Sequence, residues 1–334
     1  MNNNRFNNID FIRAIAIICV IATHVYSRHL FGEFNILIWN YLHFTIFMFI
    51  FCSGYVLSLR YEFEFNSWKQ ILSWYFKRSQ RLIIPFYCYL FVHYLLWYLF
   101  PQFFDGLELN NSFNFIVQSI FLTGGVNANW LVLLFIQLTV LLPLLTKIYI
   151  KKIIIIFYIL FSTFFTIYIT FIPFSYNLSR YVMWIPWSLA LLFSIYASRN
   201  KISNKKYISL AILSGILFYL FNFLHPFNKS LSLYDHKYPS DLYYLSYEFF
   251  ITFILLSISQ SSYLKNSFLQ KSYEYISHKS YSLYFIHYIV LDFIFKVTNN
   301  YYLFSNIFIQ FLLILSISLF ICWLLDKLSR ILLI

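Results

Sequence analysis

One apolar run, Ile9 to Ser27 (IDFIRAIAIICVIATHVYS), is long enough as a helix to cross a bilayer, yet carries Asp10, Arg13 and His24. At ~1.5 Å rise and ~100° per residue, Arg13 and His24 share a face ~16 Å apart, with Asp10 one turn below Arg13 on that face. Each ionisable group inside a span costs roughly 2.5 to 3.5 kcal/mol on insertion scales, so such groups face a protein interior or a water-filled cavity. This helix therefore lines something, unless Asp10 and Arg13 are interfacial anchors and His24 caps the outer end. Histidine exchanges protons near neutral pH, and this face has the makings of a reactive site.

Two further clusters follow. FIFCSGYVLS sets Ser53 and Gly54 among aromatics, and small residues in a membrane helix admit another helix or a ligand. His43 lies nearer the outer end of that segment, at about the depth of His24. Next, KRSQRLIIP puts Arg78 and Arg81 three positions apart, on one side of a helical turn. Paired arginines can grip phosphate bidentately, although arginines at a cytoplasmic boundary also serve as topology anchors.

The elements that must position these residues are spans. The chain is 61% hydrophobic and 11% charged, with mean hydropathy +0.69. That composition identifies an all-α polytopic membrane protein. Apolar runs able to cross ~30 Å of hydrocarbon occur near 9–27, 37–59, 82–100, 130–149, 152–172, 182–198, 207–224, 242–260, 280–298 and 304–325. Phe113 to Leu122 is too short to span and reads as a re-entrant or surface segment. No soluble domain interrupts the series, so residues 1–334 read as one domain, without a cleavable leader. With both termini cytoplasmic, the inner segments hold 18 of the 24 lysines and arginines, the positive-inside signature. The net charge of +12 then reflects topology rather than a nucleic-acid partner. Cys19, Cys52, Cys88 and Cys322 lack metal-ligand spacing and read as small core residues; no metal site is indicated.

The chain resembles the acyltransferase-3 family of bacterial integral-membrane acyltransferases, which modify envelope polysaccharides and related glycans. The likeness runs through IDFIRAIAIICVIATHVY, FIFCSGYVLS, KRSQRLIIPFY, NANWLVLLFIQLTVLLPLL, YPSDLYYLSYE and SYSLYFIHYIV, in the family's order. It implies a multi-pass protein of a bacterial cytoplasmic membrane. The implied reaction passes an acyl group, taken as acetyl, from cytoplasmic acyl-CoA to a sugar hydroxyl of an O-antigen, capsule, exopolysaccharide or lipid-linked glycan. No tightly bound cofactor is implied. Arg78 and Arg81, with Ser53, would hold the CoA end. Arg13, paired with Asp10, would guard the channel, and His24 would serve as general base or acyl relay.

His287 matches a family position and reads as lining the cavity from the donor side, with a structural hydrogen-bonding role as the alternative. Trp130 reads as an interfacial belt residue or an acceptor contact. Asp235, His236, Lys237, Tyr238 and Asp241 in the outer loop, and Glu248 within the next span, suit sugar recognition or an ordinary aromatic belt. His93 and His225 read as interfacial. The rival class is a glycan exporter without acyl-transfer chemistry. Such a transporter usually has paired halves, and residues 1–167 and 168–334 show no internal repeat.

Overall fold

A computed structural model describes residues 4–60, 67–104, 109–110, 112–171, 176–224, 232–261, 264, 266–298 and 306–332. The described residues are α-helical apart from turns and loops, and form no strands. The helices are α1 Asn4–Tyr26, α2 Glu33–Tyr41, α3 Thr45–Arg60, α4 Trp68–Leu99, α5 Pro101–Phe104, α6 Phe113–Ile120 and α7 Asn129–Ile148. They continue as α8 Lys152–Phe171, α9 Tyr176–Val182, α10 Trp184–Arg199, α11 Asn204–Phe223, α12 Leu242–Ser259, α13 Ser267–Thr298 and α14 Ile307–Leu332. Among the described residues, ten stretches are long and apolar enough to span a membrane, and each overlaps one expected from the apolar runs. The short Phe113 segment is the separate helix α6.

Two spans run well past their apolar stretch: α4 starts at Trp68 and α13 at Ser267. Neither extension contains Gly or Pro, so nothing in the chain breaks the helix where hydrocarbon gives way to water. Those extensions carry Arg78, Arg81 and Ser277. Two other spans are interrupted, one between α9 and α10 at Met183 and one between α2 and α3. α2 and α3 are separated by turn residues 42–44, and the carbonyls of Tyr41 and His43 are taken by the hydroxyls of Tyr247 and Tyr244 on α12. Irregular backbone at membrane depth survives only where protein or a wet cavity satisfies it. At this break protein satisfies it, and Trp39, His43 and Thr45 beside the break line a cavity.

Burial separates core from lipid-facing helices. In the spans formed by α4, α8, α11 and α14, at most 28% of the apolar window is buried, against at least 44% in the other six. α1 packs against α13, α3, α12 and α14, and α3 packs against α10. The α3 and α10 contact explains Gly54: a Cβ there would lie 2.1 Å from Ser194 Oγ, so the Ser53-Gly54 pair serves helix approach on its glycine side. Cys52 and Cys322 are core residues, whereas Cys88 is exposed on α4.

A tight loop precedes α7. Gly125 has φ +75°, and a Cβ there would lie 2.1 Å from Ser119 Oγ, so this position needs glycine. Arg180, 2% exposed, donates to Leu122 O at 3.1 Å and to Asn129 Oδ1 at 2.9 Å. The Asn129 amide donates in turn to Gly124 O. The loop is thereby fixed where it presents Asn127 and Trp130.

Candidate active site

Four helices, α1, α3, α7 and α13, line two cavities in series. The first, about 320 Å³, lies toward Arg60 on α3 and is bounded by Arg13, Arg60, Arg78 and Arg81 together with Ser53 and Tyr281. Arg78 donates to Ser53 Oγ at 2.9 Å, and Arg13 reaches Cys52 O at 3.4 Å. No carboxylate lines this cavity among the described residues. Four guanidiniums converging on one cavity suit a polyanion, because phosphate oxygens accept their planar donors in pairs.

Asp10 corrects the sequence reading. Its carboxylate accepts the Ser277 hydroxyl at 2.6 Å and makes no ion pair with Arg13. Shared helical face is a loose constraint: Asp10 turns to α13 and Arg13 to α3, so the aspartate ties α1 to α13 instead of pairing across one turn.

The second cavity, about 230 Å³, contains His24 and His43, the rings of Trp39, Trp130, Tyr234 and Tyr238, and Lys237. His24 Nε2 lies 3.0 Å from the Tyr288 hydroxyl, while among the described residues no hydrogen bond engages its Nδ1. His43 Nδ1 is held on Trp39 O at 2.7 Å. Trp130 stacks on Trp187 with centroids 5.8 Å apart, and Trp187 Nε1–H donates to Glu248 at 3.0 Å. Lys237 Nζ sits 4.9 Å from the Trp130 centroid and 5.1 Å from that of Tyr238, within cation–π range. Loss of hydration pushes the Lys237 ammonium down to about 8, partly opposed by the Glu248 carboxylate.

Phe49, Leu131 and Tyr284 line both cavities. They form an apolar partition between the arginine cluster and His24. Arg13 and His24 lie on opposite sides of it, ~16 Å apart along α1.

The sequence-named residues fall into three places. Arg13, Ser53, Arg78 and Arg81 meet in the first cavity, and His24, Trp130 and Tyr238 in the second. Trp130 is buried among cavity residues, so it is no belt residue. His287, Asp241 and Glu248 line neither cavity. His287 packs behind His24, ring centroids 5.2 Å apart, with Nδ1–H donating to Leu283 O at 2.9 Å. Asp241 caps α12 by accepting Tyr244 N–H at 3.1 Å and also bonds His236. Glu248, fully buried, accepts Phe47 N–H at 3.2 Å besides the Trp187 indole. Its cost inside the span is met by donors rather than by a ligand.

His93 is fully buried and bonds the Tyr89 hydroxyl and Asp292, while Arg28 bonds the other Asp292 oxygen at 3.2 Å. His225 lies outside the described residues. Among the described residues no group of three or more His, Cys, Asp or Glu has metal-site geometry.

Sequence reasoning missed Arg60, Tyr234 and Tyr288 as site residues, and placed Lys237 only within the outer-loop cluster suited to sugar recognition. Tyr288 had a readable signal: Ser277, Tyr281, Tyr284 and Tyr288 repeat at four, three and four positions, a polar stripe on α13. His287 stands one residue off that stripe, which is why it packs behind His24. The outer-loop residues had no comparable periodic signal.

Comparison with known proteins agrees with the chain-long resemblance. The acyltransferase-3 family model, described as an acyltransferase domain, matches residues 6–327. No curated protein and no solved structure gives a significant match.

Proposed function

The chain belongs to the acyltransferase-3 family, and from that membership we propose that it carries an acyl group from cytoplasmic acyl-CoA to a sugar hydroxyl on the far side of a bacterial cytoplasmic membrane. The observation that carries this reading is the pair of cavities sharing Phe49, Leu131 and Tyr284, with four arginines along one and His24 in the other. Both chain ends are cytoplasmic, on the side rich in Lys and Arg. The donor is acetyl-CoA, and the acceptor belongs to a surface polysaccharide or lipid-linked glycan.

In this reading the CoA phosphates stay with Arg60, Arg78 and Arg81. The pantetheine arm passes Arg13 and the partition, and ~16 Å of helix between Arg13 and His24 suits its length. The sugar packs against Trp39, Trp130, Tyr234 and Tyr238, because aromatic faces suit the C–H faces of a pyranose. In the tautomer this reading assigns, Nε2–H donates to the Tyr288 hydroxyl 3.0 Å away and His24 keeps a lone pair on Nδ1. Nδ1 removes the acceptor proton as the hydroxyl oxygen attacks the thioester carbonyl, and returns that proton to the departing thiolate. A positioned base of this kind contributes typically ~10² to 10⁴ in rate.

The test is on the surface glycan. Ester-linked acyl groups are measured by NMR and mass spectrometry in cells carrying the intact chain, His24→Ala at matched membrane abundance, or no chain. Ester present only with the intact chain supports the reading and identifies the acceptor hydroxyl. Equal acylation in all three refutes it for that glycan. Loss of surface glycan that His24→Ala restores would instead mean export.

A further inference from the structure

Lys237 has no part in the mechanism above, yet it is the sole cation among the described residues lining the second cavity. Its backbone is held: Lys237 N–H donates to Tyr234 O at 3.2 Å, and the residue forms an antiparallel bridge with Ser240. The loop itself is pinned to α2, where Asn40 Oδ1 accepts Leu233 N–H at 2.6 Å. The ammonium is flanked by the faces of Trp130 and Tyr238. It makes no hydrogen bond among the described residues, and the nearby Glu248 is engaged by Trp187 and Phe47.

A partly desolvated ammonium with unused donors needs an acceptor. Although hydroxyls and the Asn127 amide also line the cavity, none bonds the ammonium, whose neighbours are the ring faces of Trp130 and Tyr238, and ring faces do not accept all three N–H groups. What fills the cavity must. We infer that Lys237 is a catalytic residue that donates a hydrogen bond to the thioester carbonyl oxygen as it becomes an oxyanion beside His24. This rests on the acyl-transfer reading and supplies the electrophilic half that reading lacks.

The step balances. A bond forms between the acceptor oxygen and the carbonyl carbon while the carbonyl π pair moves onto its oxygen, facing Lys237 Nζ–H. The hydroxyl proton goes to His24 Nδ1. The oxygen pair then returns, the C–S bond breaks, and the thiolate takes the proton from His24, giving ester and free thiol. Lys237 stays protonated throughout.

The titratable groups facing Lys237 are His24 on α1, His43 between α2 and α3, Tyr234 and Tyr238 beside it, Glu248 on α12, and Tyr284 and Tyr288 on α13. A lysine pushed down to about 8 loses its proton as pH rises through that value. Transfer then falls on the alkaline side, opposite to the loss a histidine base suffers on acidification.

The test uses membranes of expressing cells, with [14C]acetyl-CoA as donor and incorporation into alkali-labile glycan ester as readout. Wild type is compared with Lys237→Gln, Lys237→Met and Lys237→Arg at matched abundance and thermal stability. Gln and Met are expected to lose roughly 10² to 10³ in kcat with KM for acetyl-CoA unchanged, whereas Arg keeps the charge and much of the rate. In Lys237→Arg the alkaline fall near pH 8 disappears, since a guanidinium does not titrate there. A Gln variant within roughly threefold of wild type overturns the inference, as does a change confined to KM for the acceptor, the mark of a site for an anionic sugar. Should Gln and Met fail to fold, an unchanged alkaline limb in Arg overturns it alone. Absence of transfer by wild type refutes the acyl-transfer reading instead, a separate outcome.

Discussion

Tyr288→Phe isolates the hydroxyl that orients His24. The ring stays: its centroid lies 4.7 Å from that of His24 and 4.4 Å from that of His287, and phenylalanine preserves these contacts. The 3.0 Å hydrogen bond to Nε2 is lost. Without it, the tautomer carrying the proton on Nε2 leaves that N–H unsatisfied, a cost of ~1 to 3 kcal/mol. The other tautomer escapes this cost by moving the proton to Nδ1, the nitrogen that accepts from the sugar hydroxyl in the proposed reaction. The productive tautomer is thereby depleted, and at 1.36 kcal/mol per tenfold kcat falls roughly 5- to 150-fold. Transfer kinetics in membranes, with acetyl-CoA varied, check this: kcat should fall while KM for the donor holds. A variant within roughly twofold of wild type in kcat, or one altered only in donor KM, refutes the orientation argument.

Arg78→Ala should raise KM for acetyl-CoA roughly tenfold or more, the loss of one charge-assisted contact, yet leave turnover of an acyl-pantetheine donor without the nucleotide phosphates unaltered. Equal damage with both donors would remove the arginine from phosphate binding. His287→Ala should lower kcat roughly tenfold without changing KM for acetyl-CoA, because a void behind His24 and Tyr288 loosens the base without touching the donor's binding site. A donor KM effect would restore His287 to the donor side.

The ten spans were legible because each is an apolar run of sufficient length, and lipid leaves the backbone no alternative to the helix. The ion-bearing face of α1 was legible for a related reason: a charge inside a span is rare enough to be noticed. Which partner such a charge meets was not legible. Asp10 and Arg13 share a face by periodicity, but α13 and α3 approach that face from different sides, and packing between distant segments decides which carboxylate meets which donor. Glu248 shows the same limit: a buried carboxylate signals a site, yet the Phe47 amide and the Trp187 indole satisfy it inside the protein. The outer loop was hardest to read, because polar and aromatic residues at a membrane surface have the same composition whether they form a belt or a cavity wall. Only the seating of Leu233 on Asn40 and the enclosure of Lys237 distinguish the two.

The order of the cavities has an electrostatic consequence for the proposed reaction. Moving a phosphate-bearing group past Phe49, Leu131 and Tyr284 would strip it of water and of the arginines together, a penalty of at least several kcal/mol per charge. A pantetheine arm carries only amides and a thioester, so it can pass where the nucleotide cannot. The same partition therefore admits the acyl group and retains its carrier. After transfer, the free thiol has no acyl group left in the second cavity, while its phosphates remain at the arginines. CoA consequently leaves through the cavity by which it entered, and the glycan ester leaves through the other. Enlarging Leu131 should reduce passage of the thioester while leaving phosphate binding at the arginines intact: with Leu131→Trp, CoA should still compete for the first cavity as the transfer rate falls. Loss of CoA binding in that variant would mean that the two cavities do not act in series.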